Sequence, residues 1–139
     1  KFKAAQIAKK WGYDYWDGDR RINYGGYKYL EGRWEKVAKA MIKHYELPEN
    51  PKILDIGCGK GYLLYDFSKC LPKAELYGLD ISSYAINNGK EEIQKSLTLG
   101  NALIMSFRPR FVIRSIPLRE KILPIFVGSF LTSKVGNFS

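Results

Sequence analysis

Histidine, methionine and cysteine are scarce: one, two and two among 139 residues. His44 is the single histidine, and the sequence gives no ground for a Ser/His/Asp or Cys/His triad around it, a general base being the lesser reading. It follows Lys43 on what reads as the polar side of a helix, so it is expected at the surface. Cys58 and Cys70 make neither a disulfide framework nor a CxxC metal pair, and a reducing, cytoplasmic setting is the default expectation. Long apolar runs are missing too. The longest, over 122–132, is broken by Pro124 and Gly128 and falls short of the roughly 20 residues that span a bilayer. No membrane partner is therefore expected. The opening residues do not read as a signal peptide, so none is expected, and a start at Lys1 rather than Met suits a trimmed chain. Asp14, Asp17 and Asp19 are spaced loosely like calcium ligands, but an EF-hand loop's glycine and terminal glutamate are not at their places, so no metal is expected. No Gly-Lys-Ser/Thr run exists, which excludes a P-loop.

What the chain does have suits one globular domain with a real core. Hydrophobic residues make up 45%, including ten Tyr, seven Phe and three Trp. The net charge is +9, unevenly spread: +4 over residues 1–50, zero over 51–100 and +5 over 101–139. Such a balance suits an anionic partner, nucleic acid included, but the basic groups form no recognisable binding motif.

Three zones follow one another. Residues 1–32 are rich in aromatics and glycine and show no sustained period, so they read as loops and short turns packing on a larger body. Their rings, at Tyr13, Tyr15, Trp16, Tyr24, Tyr27 and Tyr29, either form a lid over a ligand or cover a flank of the sheet. From about 33 to 45 the residues Trp34, Val37, Ala38, Met41, Ile42 and Tyr45 make one helical apolar stripe, with Lys36, Lys39 and Lys43 opposite. In the central zone, 52–56 and 75–79 read as buried strands and 61–70 as a helix. Ser82 caps a further helix expected to run to about residue 95, weakened by Gly89. This alternation predicts an α/β fold with a parallel sheet. The zone 101–139 differs in kind. It has no Tyr, Trp or Asp, and four Arg where the preceding 50 residues have none. Its strand candidates are 110–116 and 125–131.

The main signal is Ile53-Leu54-Asp55-Ile56-Gly57-Cys58-Gly59-Lys60-Gly61-Tyr62. A strand ends, three glycines follow at alternate positions, and a helix begins. The first glycine permits a tight turn, and the second lets a ligand approach the backbone. The helix start offers free N–H groups and a positive dipole end. Asp80 closes the next strand, where a carboxylate can accept hydrogen bonds from both hydroxyls of a ribose. A nucleoside ligand is expected.

The G-x-G-x-G spacing, with Asp55 two residues ahead, resembles the first motif of class I S-adenosylmethionine-dependent methyltransferases. Leu76-Tyr77-Gly78-Leu79-Asp80-Ile81-Ser82 resembles their second motif, and Gly100-Asn101-Ala102 the segment that flanks the adenine. The resemblance covers about residues 33–102. It implies a Rossmann-like parallel sheet with helices on both faces, truncated on the carboxyl side, spanning 33–139 behind a lid or extension of 1–32. It implies S-adenosylmethionine as cofactor and methyl transfer as activity, with cofactor-binding residues Asp55, Gly57, Cys58, Gly59, Gly61, Asp80, Ile81, Asn101 and Ala102. The three glycines would line the methionine part, Asp55 would fix the loop and help bind the amino group, Asp80 would hold the ribose, and Ile81 would pack on the adenine. Asn101 or Ala102 would flank the adenine edge, and Cys58 would contribute through its backbone.

The expected acceptor is a small molecule or a saccharide-type metabolite. The alternatives are an inactive, truncated or frame-shifted cofactor-binding remnant, and an RNA methyltransferase. After Ala102 the family's F-D-h-h strand (h apolar) is missing. Phe107-Arg108-Pro109-Arg110 can be encoded by TTT-CGA-CCT-CGT, which one base later reads Phe-Asp-Leu. Sequencing the source DNA tests whether another frame restores that strand. No catalytic base can be named.

Overall fold

In the computed structural model, residues 2–101, 111–114 and 125–128 are described. The apolar run bounded by Pro51 and Gly57 forms β1 (Lys52–Ile56) at the centre of a sheet. Beside it lie β2 (Glu75–Asp80), β3 (Leu97–Leu99), β4 (Phe111–Arg114) and β5 (Ile125–Gly128), in the order β3-β2-β1-β4-β5. The pairs β1–β2, β2–β3 and β1–β4 are parallel, whereas β5 runs antiparallel to β4. The chain steps outward from β1 to β2 and β3, then returns to β4 on the other side of β1. That reversal is a topological switch point, and in open α/β sheets ligands bind at the carboxyl ends of the strands beside it. The glycine loop leaves β1 at that end.

The helices are α1 (Phe2–Ala8), α2 (Tyr13–Trp16), α3 (Glu35–His44), α4 (Tyr62–Cys70) and α5 (Ser83–Asn87), with a 3-10 helix at Glu91–Ser96. The stripe of α3 is buried as its spacing predicts: Ala38 and Met41 are core, and Trp34, Val37, Ile42 and Tyr45 pack against it. Lys39 on the outer face pairs with Glu35 one turn away, and His44 is exposed. Leu63, Leu64 and Phe67 of α4 meet Ile53 of β1, and Leu76 of β2 packs on the same cluster. Phe67, Leu64 and Ile53 are fully buried. Each contributes roughly 1.5–3 kcal/mol of apolar burial. Ile53 pairs with Leu76 and Asp55 with Gly78, so these four residues share the face covered by α3, α4 and α5. The opposite face carries Leu54 and Leu79, each 1% exposed. Helices expected on that second face would follow β4, outside the described residues.

Gly78 of β2 is crowded by side chains from β3, the glycine loop and α4. A Cβ there would stand 2.6 Å from Leu97 Cδ2, 2.8 Å from Cys58 Sγ and 3.0 Å from Leu64 Cδ1. Gly78→Ala is expected to destabilise the protein by about 1–3 kcal/mol through overpacking, read as a lower denaturation midpoint in urea.

Two expectations need correction. The helix begun at Ser82 does not reach residue 95: α5 stops at Asn87, and the chain re-forms as the 3-10 helix. Asn87, Asn88 and Gly89 are poor helix formers, and a Cβ at Gly89 would stand 2.5 Å from Leu97 Cδ1. The tight approach to Leu97 overrides the helical pattern. Residues 1–32 are not only loops, since α1 and α2 lie within them. The alanines of α1 favour helix, but seven residues are too few to show a period.

Candidate active site

The expected strand, glycine turn and helix follow one another from β1 to α4. Gly57, Gly59 and Gly61 have φ of +81°, +56° and +75°, a left-handed region that disfavours side chains. The loop is tied back to the end of β2. The N–H groups of Gly57 and Cys58 donate to Leu79 O at 2.7 and 3.2 Å, and Gly61 N–H donates to Cys58 O at 2.9 Å.

Asp80 is the anchor of this arrangement. It is 8% exposed. Its Oδ2 accepts from Gly59 N–H at 2.8 Å and its Oδ1 from Ser82 N–H at 2.8 Å. A carboxylate has about four lone-pair sites, so each oxygen retains capacity for a ligand hydroxyl. Backbone bonding thus fixes the carboxylate's position. Asp55 is 1% exposed, on the same face of the sheet.

The other expected site residues distribute unequally. Ile81 is 52% exposed beside Asp80, and Leu99, which pairs with Asp80, is 54% exposed. Together they leave an apolar surface at the strand ends. Gly100 N–H donates to Asp80 O at 2.9 Å, which places the exposed Asn101 one residue beyond the same strand end. Ala102 lies outside the described residues. Cys58 is buried, and burial, together with the charges of Asp55 and Asp80, pushes its thiol pKa far up. Burial of this kind disfavours the thiolate. Among the described residues no His/Cys/Asp/Glu group could hold a metal ion. Asp17 and Asp19 are engaged by Lys60 and Arg21 instead.

Several contacts at this site escape sequence reasoning. Lys60, in the middle of the glycine loop, is buried. Its Nζ donates to Asp17 Oδ1 at 2.8 Å, Asp17 Oδ2 at 2.7 Å and Tyr27 O at 2.9 Å. Asp17 also accepts from Tyr84 OH at 2.8 Å and Tyr27 N–H at 3.0 Å. The Ser82 hydroxyl does more than cap α5. It accepts from Ala85 N–H at 3.0 Å and from the Trp16 indole N–H at 2.9 Å, and donates to Trp11 O. The aromatic segment therefore packs on α5 and the glycine loop. Tyr15, Trp16 and Ala85 form a small core with Trp11, Tyr24, Tyr27 and Tyr84 against it. Burial, with the neighbouring Tyr24 and the Asp80 carboxylate among the further causes, raises the Tyr15 hydroxyl to about 12. A lysine inside the glycine loop was the one available sign. Its partner lies 43 residues away, where no local pattern points.

Asp17 carries a pH prediction. Burial raises its pKa, but hydrogen bonds from Lys60, Tyr84 and Tyr27 N–H, with the Lys60 charge, outweigh that and hold it below the usual 3.8. A depressed folded pKa gives stability that is fully present above the unfolded value and is lost as pH falls through the folded one. Wild type is therefore expected to be more stable than Asp17→Asn at neutral pH, with the difference shrinking below about pH 4. Urea midpoints of the two proteins across pH check it.

Comparison with known proteins agrees with this geometry. Residues 47–102 match the family model described as a methyltransferase domain. An uncharacterised protein of Rickettsia prowazekii is 47% identical over 45 residues, covering 32% of this chain and 18% of that protein. A probable cobalt-precorrin-6B C(15)-methyltransferase (decarboxylating) of Saccharolobus solfataricus is 26% identical over 95 residues, covering 68% of this chain and 47% of that protein. The solved structure of coclaurine N-methyltransferase, bound to N-methylheliamine and SAH, is similar with a TM-score of 0.52 and 13% identity, over 63% of this chain and 28% of its own. At that identity the likeness is one of fold. This chain spans less than half the length of each of these proteins. Residues 47–102 thus resemble a methyltransferase domain in sequence, and the sheet with its helices has the Rossmann-like fold that coclaurine N-methyltransferase also shows.

Proposed function

We propose that this chain binds S-adenosylmethionine at the carboxyl ends of β1 and β2 and serves methyl transfer to a small-molecule acceptor, saccharide-type metabolites included. One observation carries the reading. The Asp80 carboxylate is bonded to the N–H of Gly59, so the ribose-type acceptor and the glycine turn form one rigid unit. A nucleoside joined to a short chain needs both at once: a carboxylate for its hydroxyls and a side-chain-free backbone for the rest. The residues present fit the cofactor on those terms. Asp80 would accept from the ribose hydroxyls, the 57–61 backbone would line the methionine part, and Ile81 offers an apolar surface to the base. Asp55 would hold the loop and assist the amino group.

When bound, the sulfonium supplies an activated methyl group. The chain's own task is orientation: bringing an acceptor into line with that methyl, which converts a bimolecular encounter into a positioned one. The acceptor class draws support from relatives whose names specify small molecules, among them the cobalt-precorrin methyltransferase. Calorimetric titration of the full chain with S-adenosylhomocysteine, the demethylated product, tests the reading. Saturable heat at one site per chain is expected. Its absence at millimolar ligand would overturn the assignment.

A further inference from the structure

The space left by the missing Cβ of Gly59 is already filled. A Cβ built there would stand 2.7 Å from Trp16 Cη2, 3.1 Å from Cζ3 and 3.6 Å from Cζ2. The indole edge of Trp16 therefore rests on the backbone that a cofactor has to approach. The ring is held on several sides. Its N–H donates to Ser82 Oγ at 2.9 Å, and the Tyr24 ring stacks on it with centroids 5.3 Å apart and 8° between the planes. The Trp16 carbonyl accepts from Gly26 and Tyr27 N–H at 3.1 and 3.0 Å.

The next residue in each segment completes the contact. Asp17 follows Trp16, Lys60 follows Gly59, and the two side chains form an ion pair with exposures of 22% and 6%. The Lys60 ammonium makes three hydrogen bonds to this strap, two to Asp17 and one to Tyr27 O. A buried ion pair adds little net stability over a packed apolar pair. It does select one arrangement, and removing one partner is costly. On an apolar interface that already has many rings, such a pair acts more as a latch than as glue.

We infer that residues 11–27 are a strap latched over the cofactor site by Lys60 and Asp17, and that Trp16 must leave Gly59 before the cofactor can bind. The inference rests on the cofactor reading above and adds a regulating step to it. On this reading the strap opens before the cofactor enters, so the apparent affinity scales with the fraction of molecules unlatched. Asp17 and Lys60 are positioning residues here, acting through Trp16.

Trp16 reports the step. Trp11→Phe and Trp34→Phe leave it as the one tryptophan of three. In that background, stopped-flow mixing with S-adenosylhomocysteine is expected to give an observed rate that reaches a plateau with ligand concentration. Asp17→Asn should raise the plateau at least about fivefold and raise acrylamide quenching of Trp16 at least about twofold without ligand, whereas Asp17→Glu, which keeps the charge pair, should stay near wild type. Far-ultraviolet circular dichroism confirms that each variant is folded. Binding seen by calorimetry with an observed rate that stays linear in ligand, or a plateau and quenching unchanged in Asp17→Asn, would overturn the latch while leaving the cofactor site intact. No calorimetric binding at all would refute the cofactor reading, and the gate with it.

Discussion

Replacing Asp80 by alanine is expected to weaken S-adenosylhomocysteine binding by about 1–3 kcal/mol, or roughly 5- to 150-fold in Kd. The same change should also destabilise the protein. Asp80 accepts the N–H groups of Gly59 and Ser82, both in buried surroundings. Alanine leaves two donors without their acceptor, each costing about 1–3 kcal/mol. The two effects separate with Asp80→Asn. Its amide oxygen can keep one N–H bond, so stability recovers in part, but the charge that strengthens bonds from ligand hydroxyls is gone. Calorimetry gives the affinity and urea unfolding the stability. Wild-type affinity in a folded Asp80→Asn would remove the ribose assignment.

Gly59→Val should do more. Position 59 has φ of +56°, which a β-branched residue adopts only under strain. Its side chain would also meet the Trp16 ring, since even the first carbon lies 2.7 Å from Cη2. Backbone strain alone costs about 1–3 kcal/mol, and the displaced ring adds to it. Binding is expected to be lost altogether, because the space a ligand needs is taken whether the strap is open or closed. The steric part can be isolated. With Gly59→Ala as host, adding Trp16→Ala should be less costly than Trp16→Ala in wild type, with a coupling of about 1 kcal/mol. Additive losses would show that ring and backbone are not in contact.

These two sites mark how far the residues can be read without coordinates. β1, α4 and β2 were legible because each element is local: an apolar run between Pro51 and Gly57, a stripe ended by Pro72, a second run closed by Asp80. The glycine loop was legible because positive φ at alternate positions is a demand that the sequence meets with glycine. Asp80 was legible as a strand-end acid, but its bond to Gly59 was not, since it joins two elements. The long helix expected after Ser82 failed for a related reason. Gly89 comes within contact of Leu97, and tertiary packing set the boundary. The strap shows the same limit most plainly. Six early aromatics suggested a lid or a flank, yet only the fold brings Asp17 to Lys60 and Trp16 to Gly59. Fixing the net charge of +9 said nothing of where a buried lysine would sit.

Amide chemical shifts of the isotope-labelled chain, recorded while S-adenosylhomocysteine is added, test the central claim most directly. The account predicts that the largest changes fall together on Gly57, Gly59, Gly61 and Ser82, the amides of the glycine loop and of the Asp80 anchor. Saturable binding that moves other amides and leaves these four unchanged would contradict it.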